Sequence, residues 1–325
     1  MIEVSKQAVI KNLEQIPNSK GIFCFSKPEE ILFIRKASNL RKTIKNFLIE
    51  NIEDKNVFQM MSLTKTISWL ETSSFFEALV NEKKMINKEN PEYNNLIRDY
   101  EDYVYLGINF HKVPYFNITN DTLEDLYYLG PFIDRFFLYD YIATMGELFQ
   151  MPVCEEENFP CDRYKTKRCL GYCLKDSREI TELILNSFLH EDEKILSQLS
   201  RTYEELYDDL EFEKTEILKL QKKLIEKYYK VLKFLHIVKN LTLEYEEKGV
   251  KYSIKKGVIV KMSKGKEFYY FGYHTPEYRE NEFLAINKNQ LGESWIIYNH
   301  LKKKYSQKFN NIYLESFSKI KSKFK

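Results

Sequence analysis

Residues 21–46 read GIFCFSKPEEILFIRKASNLRKTIKN. Two short apolar runs, Gly21–Ser26 and Ile31–Arg35, flank Lys27-Pro28-Glu29-Glu30, which has turn chemistry. That is the pattern of a β-hairpin, with Cys24 read as a core residue. A helical period begins near Asn39 and places Leu40, Ile44, Phe47 and Leu48 on one side. Outward from this stretch, residues 5–16 predict a short lead-in helix, Lys65–Leu70 a strand, and Phe75–Asn87 a helix. The helix carries Phe75, Ala78, Leu79, Met85 and Ile86 on its apolar side. Glu82 interrupts that stripe, four residues after Ala78 and four before Ile86. A carboxylate there is costly to desolvate unless a cation or hydrogen-bond donors meet it. On spacing alone it is an edge-of-core glutamate paired with a lysine.

The chain has 325 residues, 43% of them hydrophobic and 15% aromatic, enough for a real core and for two or three domains. The net charge of +2 excludes a global field for a polyanion, so any basic surface is local. Met1–Asn12 lacks the continuous apolar core of a signal peptide. No run approaches the roughly 20 apolar residues that cross a bilayer. A cytoplasmic protein with no membrane contact is the expectation. Four of the five cysteines, Cys154, Cys161, Cys169 and Cys173, fall within one short segment. In a reducing compartment such clustering points to a metal or cluster site over disulfides. Four buried free thiols are the other reading.

The hairpin and its helix resemble the GIY-YIG nuclease domain of the UvrC family, the incision subunit of bacterial nucleotide excision repair. The family reads GVY in the first strand and YVGKAKNLR in the second, with an arginine on the following helix. This chain reads Gly21-Ile22-Phe23, then Phe33-Ile34-Arg35-Lys36-Ala37-Ser38-Asn39-Leu40-Arg41, with Thr43 at the arginine position and Phe47 at a further tyrosine. The family's EALLLE helix and its P-x-Y-N are matched by Glu77-Ala78-Leu79-Val80-Asn81-Glu82 and Pro91-Glu92-Tyr93-Asn94. The resemblance makes Lys36, Glu82 and Asn94 the retained catalytic positions, with Glu82 as ligand of a divalent metal, Mg²⁺ or Mn²⁺. The replacements have chemical consequences. Phenylalanine fills the space of tyrosine but cannot hold a water or give up a proton. Threonine cannot clamp a phosphate as guanidinium does. Arg35, at the glycine of YIG, shares a strand face with Phe33. It either supplies a DNA phosphate contact in the groove or blocks the groove or points to solvent. The run from Asn95 to Tyr105 resembles NVLLRDDKSYPYI and predicts a strand closing the domain.

Further along, Leu129-Gly130-Pro131-Phe132 resembles YFGPY, and Phe136, Phe137, Tyr141, Met145 and Phe149 follow at helical spacing. CDRYKTKRCLGYC keeps the family's last two cysteine gaps, from PCLQYQIGRCLGPC, while the first gap is shorter. The resemblance implies a [4Fe–4S] cluster on the four cysteines; Zn²⁺ suits the same thiolates. Arg163, Lys165, Lys167 and Arg168 form a basic patch beside them, for DNA phosphates or to balance an anionic cluster. Ser177–Leu189, Glu191–Ser200 and a long charged run from about Thr202 to Leu235 predict helices. Leu210-Glu211-Phe212-Glu213-Lys214 matches the LEFEKAA of the UVR motif, which implies docking on UvrB through Leu210, Phe212 and Glu213; an ordinary amphipathic helix is the alternative. Beyond residue 239 the sequence predicts strands Leu241–Glu247, Val250–Met262 and Glu267–Tyr273, then two helices. From Leu301 onward lysines dominate, with Glu315 the only acid.

The expected architecture is α+β. Residues 1–106 form a GIY-YIG nuclease-like domain, 107–192 a linker and four-cysteine segment, 193–238 long helices with the UVR-like motif, and 239–325 a small α/β C-terminal domain. The resemblance, nearest to short Cho-like relatives, implies a DNA-repair protein that hydrolyses a phosphodiester with a divalent metal. The lost phenols and arginine leave both cutting and non-cutting forms of the domain as readings. The rival is a pseudo-nuclease that binds DNA or a repair partner without cutting.

Overall fold

The computed structural model describes residues 1–49, 54–97, 103–154, 161–172, 177–265, 267–269 and 275–324. The architecture is α+β, with three four-stranded sheets among the described residues. Two compact units share the chain, and neither is continuous in sequence. The first takes Met1–Glu101, Leu241–Pro276 and Asn289–Lys303; the second takes Asp102–Asn240, Glu277–Lys288 and Lys304–Lys325.

In the first unit the hairpin forms as the sequence predicts. β2 (Gly21–Lys27) and β3 (Glu30–Ala37) pair antiparallel, with Phe23 opposite Arg35 and Phe25 opposite Phe33. With β1 (Ile2–Ser5) and β4 (Thr66–Glu71) the order is β1-β4-β2-β3, so β3 is an edge strand. Residues 5–16 hold α1 (Lys6–Lys11) and a separate 3₁₀ turn, Leu13–Gln15, instead of one helix. Gly21 has a packing reason: a Cβ there would stand 2.2 Å from the Leu70 carbonyl oxygen. Alternation along the strands sends Phe23, Phe25, Phe33 and Arg35 to one face and Cys24, Ile34 and Lys36 to the other. On the first face α2 (Leu40–Ile49) and α3 (Lys55–Leu63) bring Leu40, Ile44, Met60 and Met61 into one cluster with Phe23, Phe25 and Trp69. The second face is covered by α4 (Phe75–Glu89), whose Ile86 packs on Cys24 and Ile34.

A capping box starts α4. The Glu77 N–H donates to Ser74 Oγ at 3.0 Å, and the Glu77 carboxylate accepts from the Ser73 N–H at 2.6 Å. The helix is buried on more than one side. Phe75, expected on the apolar face, is exposed, and Phe76 is the buried ring. Phe76 meets an antiparallel meander of β8 (Thr242–Glu247), β9 (Val250–Lys255), β10 (Val258–Lys264) and β11 (Glu267–Tyr269). It packs edge-on to Tyr252 at 5.3 Å and stacks on His300 of α10 (Leu291–Leu301) at 4.1 Å. The strand expected over Val250–Met262 is split by a turn at Lys256-Gly257, both at positive φ. Residues 270–273 of the expected last strand lie outside the described residues. Lys84 Nζ donates to the Ile259 carbonyl at 2.6 Å and pairs with Glu293 at 3.4 Å, while Glu293 accepts from the Ile259 N–H at 2.7 Å. Burial lowers the Lys84 ammonium and raises the Glu293 carboxyl from their ordinary values.

The second unit is built on a sheet of order β12-β7-β5-β6, from β5 (Val104–Ile108), β6 (Phe116–Thr119), β7 (Tyr127–Phe132) and β12 (Leu284–Ala285). The strand expected to close the nuclease-like domain is β5, and it pairs here with β6 and β7 instead. Around it run α5 (Arg135–Leu148), α6 (Asp162–Lys165), α7 (Ser177–Phe188), α8 (Glu193–Asp208), α9 (Phe212–Asn240) and α11 (Ser306–Ser322). The Tyr141 and Tyr228 rings stack at 3.7 Å, and their hydroxyls donate to the Ser187 and Phe188 carbonyls at 2.8 Å. Phe136, placed by its spacing with the core residues of α5, is exposed, while Phe137, Tyr141 and Met145 are buried. Buried His236 joins α9 to α11: one ring nitrogen meets Ser316 Oγ and the other the Leu189 carbonyl, each at 2.8 Å. The long charged helix expected to Leu235 is broken at residues 209–211, with Leu210 at φ 61°, so α8 and α9 form a helical hairpin. Among the described residues no helix is long and apolar enough to cross a membrane.

Candidate active site

An edge strand leaves every second N–H and C=O without a partner strand. On β3 these fall at Ile34 and Lys36, and side chains take them up. Asn94, in the 3₁₀ segment Glu92–Ile97, accepts from the Ile34 N–H and donates to the Ile34 carbonyl, both at 2.8 Å. Glu82 Oε1 accepts from the Lys36 N–H at 2.9 Å, and its Oε2 pairs with Lys36 Nζ at 2.7 Å. Lys36, Glu82 and Asn94 are therefore brought together along one strand edge, as the sequence reading requires. The cation and donors expected around Glu82 both come from Lys36. Glu82 is only 8% exposed, while the Lys36 side chain keeps 34% of its surface.

The opposite face holds the positions where the family carries phenols. Phe23, Phe33 and Phe47 lie 5.8–6.5 Å apart by ring centroid and, with Phe25, make a dry aromatic cluster. Phe23 is fully buried, Phe33 and Phe47 pack against it partly buried, and none offers a proton acceptor. Thr43 gives its hydroxyl to the Asn39 carbonyl at 2.8 Å, so it caps its own helix turn. Arg35 is exposed, with its guanidinium carbon 5.7 Å from the Phe47 centroid. It shares the face of Phe33 and not that of Lys36. Sequence reasoning missed that Glu82 and Asn94 hold a strand edge; the signal was β3's place at the end of the sheet, which no motif displays.

A family profile described as the UvrC-like GIY-YIG domain matches residues 19–95. UvrABC system protein C of Acinetobacter baumannii (strain SDF) is 30% identical over 223 residues, covering 64% of this chain and 37% of the relative. The protein of the same name from Wolbachia sp. subsp. Brugia malayi is 26% identical over 237 residues, covering 69% and 39%. Residues 19–95 are a UvrC-like GIY-YIG domain. The chain spans less than two fifths of the length of these two relatives. Among solved structures, the GIY-YIG N-terminal endonuclease domain of UvrC from Thermotoga maritima, bound to its catalytic divalent cation, is similar at 25% identity. It covers 27% of this chain and 97% of that domain, with a TM-score of 0.26. The same domain is also known bound to magnesium.

The other expected UvrC features lie in the second unit. Cys154 and Cys161 are half-buried and Cys169 is buried; Cys173 lies outside the described residues. Among the described residues no three His, Cys, Asp or Glu side chains are grouped to hold a metal ion, so these three thiols do not form a ligand set. Of the basic patch, Lys165, Lys167 and Arg168 are exposed. Arg163 is partly buried and donates to the Gly146 and Arg168 carbonyls at 3.1 Å, which makes it a staple of the loop. Leu210 is 70% exposed and Phe212 55%, at the tip of the α8–α9 hairpin, and Glu213 is exposed beside them. Thr215, at an alanine of the UVR pattern, is buried and gives its hydroxyl to the Glu211 carbonyl at 2.8 Å. The hairpin thus forms without the small residue.

Proposed function

We propose that the chain acts on DNA as a UvrC-type excision-repair protein whose reaction is the metal-dependent hydrolysis of a phosphodiester. The observation that carries the reading is the meeting of Lys36 and Glu82, inside the domain that the UvrC-like profile matches. Glu82 fits a cation that takes few protein ligands: it is one nearly buried carboxylate, and water and phosphate oxygens would complete the shell of Mg²⁺ or Mn²⁺. Such a cation would stabilise charge on the scissile phosphate. Lys36, on a partly exposed stem, can leave Oε2 and keep a positive charge at the phosphate. Asn94 holds the strand that carries Lys36 and acts as a positioning residue. Arg35, Lys165, Lys167 and Arg168 are exposed cations suited to backbone phosphates.

A second reading has its own support. The phenylalanine cluster, the committed hydroxyl of Thr43 and the saturation of Glu82 by Lys36 suit a pseudo-nuclease that binds DNA or a repair partner without cutting. A nicking assay on damaged duplex with Mg²⁺ or Mn²⁺ separates the two, run beside Glu82→Gln. Cutting that the substitution abolishes supports the enzyme. Tight binding with no cutting supports the adaptor, and the absence of both overturns the DNA reading.

The exposed hairpin tip supports docking on UvrB, tested by the loss of UvrB capture in Phe212→Ala. A [4Fe–4S] or Zn²⁺ site would need Cys173 and a rearrangement of the other three thiols. Iron, sulfide and zinc analysis of anaerobically purified protein decides it. A cytoplasmic location belongs to the same proposal.

A further inference from the structure

We infer that the second unit carries a phosphate-binding cleft that seats the backbone of a nucleic acid, an inference that rests on DNA being the ligand. The lysine-rich end of the chain supplies one wall. α11 turns Phe309, Tyr313, Ser316 and Ile320 inward and leaves Lys319 and Lys323 exposed, four residues apart on neighbouring turns. Facing them across a cleft of about 220 Å³ are Arg279 and, at the end of α9, Lys239. This volume is below the roughly 300 Å³ at which pockets for drug-sized ligands begin, which suits a single phosphate group and not a nucleoside. The cleft would therefore contact the backbone without reading bases.

The cations are set by their surroundings. Lys239 donates to the Ala285 carbonyl at 3.0 Å and lies 4.3 Å from the Tyr278 ring centroid. Lys323 stands 5.0 Å from the Phe283 ring centroid. Two carboxylates share the site. Glu282 is used inside the fold: it accepts from the Arg279 N–H at 2.7 Å and from the Thr122 hydroxyl at 2.6 Å, fixing the segment that carries Arg279. Glu280 pairs with Lys323 at 3.6 Å, but its side chain is 92% exposed. A pair so open to water is weak and yields to a phosphate. On the floor, Ser316 Oγ accepts from Asn240 Nδ2 at 3.0 Å. Four cations against two carboxylates leave the cleft net positive, as a diester requires.

Fluorescence anisotropy with a labelled duplex, over a series of NaCl concentrations and on the full chain, tests the inference. Lys319→Ala combined with Lys323→Ala should weaken binding about fivefold and lower the slope of log K against log salt by about 1–2. Glu280→Lys should strengthen binding about twofold and steepen the slope, a change that misfolding would not produce. Wild-type binding with both variants unchanged overturns the cleft and leaves the UvrC-type reading standing. Failure of the wild type to bind DNA overturns both. Calorimetry with inorganic phosphate covers the remaining source: uptake lost in the double variant, with no change in DNA slope, would reassign the cleft to free phosphate and overturn the nucleic-acid seat.

Discussion

Phe23 and Phe33 differ in what a restored hydroxyl would meet. Phe23 is fully buried among Phe25, Phe33 and Phe47, so Phe23→Tyr places an unpartnered O–H in a dry cluster. It should cost about 1–3 kcal/mol in urea unfolding. Phe33 is half-buried, and Phe33→Tyr should stay within about 0.5 kcal/mol of the parent. Equal losses at the two positions would contradict the dry-cluster description. Lys36 gives a second residue-level expectation. Its ammonium already neutralises Glu82, so a dication must compete with it. Lys36→Met should raise Mn²⁺ affinity, read by electron paramagnetic resonance, by about five- to tenfold, the order expected for removing one nearby charge. Unchanged affinity would show that the ammonium is no competitor.

At the scale of elements, α9 and α11 of the second unit meet at the buried His236. Burial holds its imidazole down at about 4, against an ordinary 6.5. The folded state therefore binds fewer protons than the unfolded chain. The stability from this group is fully present above pH about 6.5 and is lost as pH falls through about 4, roughly 3 kcal/mol in all. Urea unfolding of the wild type should show that loss, and His236→Gln should flatten the slope in this window. An unaltered slope would move the origin of any acid sensitivity elsewhere. How far these elements could be read beforehand depended on local chemistry. The β2–β3 hairpin and the start of α2 were legible because turn residues and period both lie within a short stretch. So were the register of Phe33 with Arg35 and the awkward position of Glu82. The break at Leu210 was not, since a non-glycine residue at positive φ gives no turn signal in the sequence. Phe75 and Phe136 misled because a helix buried on several sides does not confine its apolar residues to one stripe.

At the scale of the molecule, chain order and spatial order part company. The meander of β8–β11 with α10 is not a separate body: it belongs with the first unit and covers Phe76 and Lys84 of α4. The sequence could not reveal this, because Lys84 and Glu293 are more than two hundred residues apart and each alone reads as a surface charge. Their pairing predicts strong coupling. Lys84→Met alone or Glu293→Leu alone should destabilise by about 3–5 kcal/mol, since each strands a buried charge. The double substitution should recover most of that loss in a double-mutant cycle, and additive losses would refute the coupling.

The side chains on the rim of β3 also act as guards. Glu82 and Asn94 occupy the hydrogen-bonding groups through which one sheet could extend into the next molecule's. Stripping them to alanine would open a template for self-association, so a variant intended to silence chemistry could lose activity by clumping. Glutamine at 82 keeps the acceptor while removing the charge, which is why the comparison of cutting against binding depends on it. The pair most readily taken for catalysis thus also closes the open edge of the sheet.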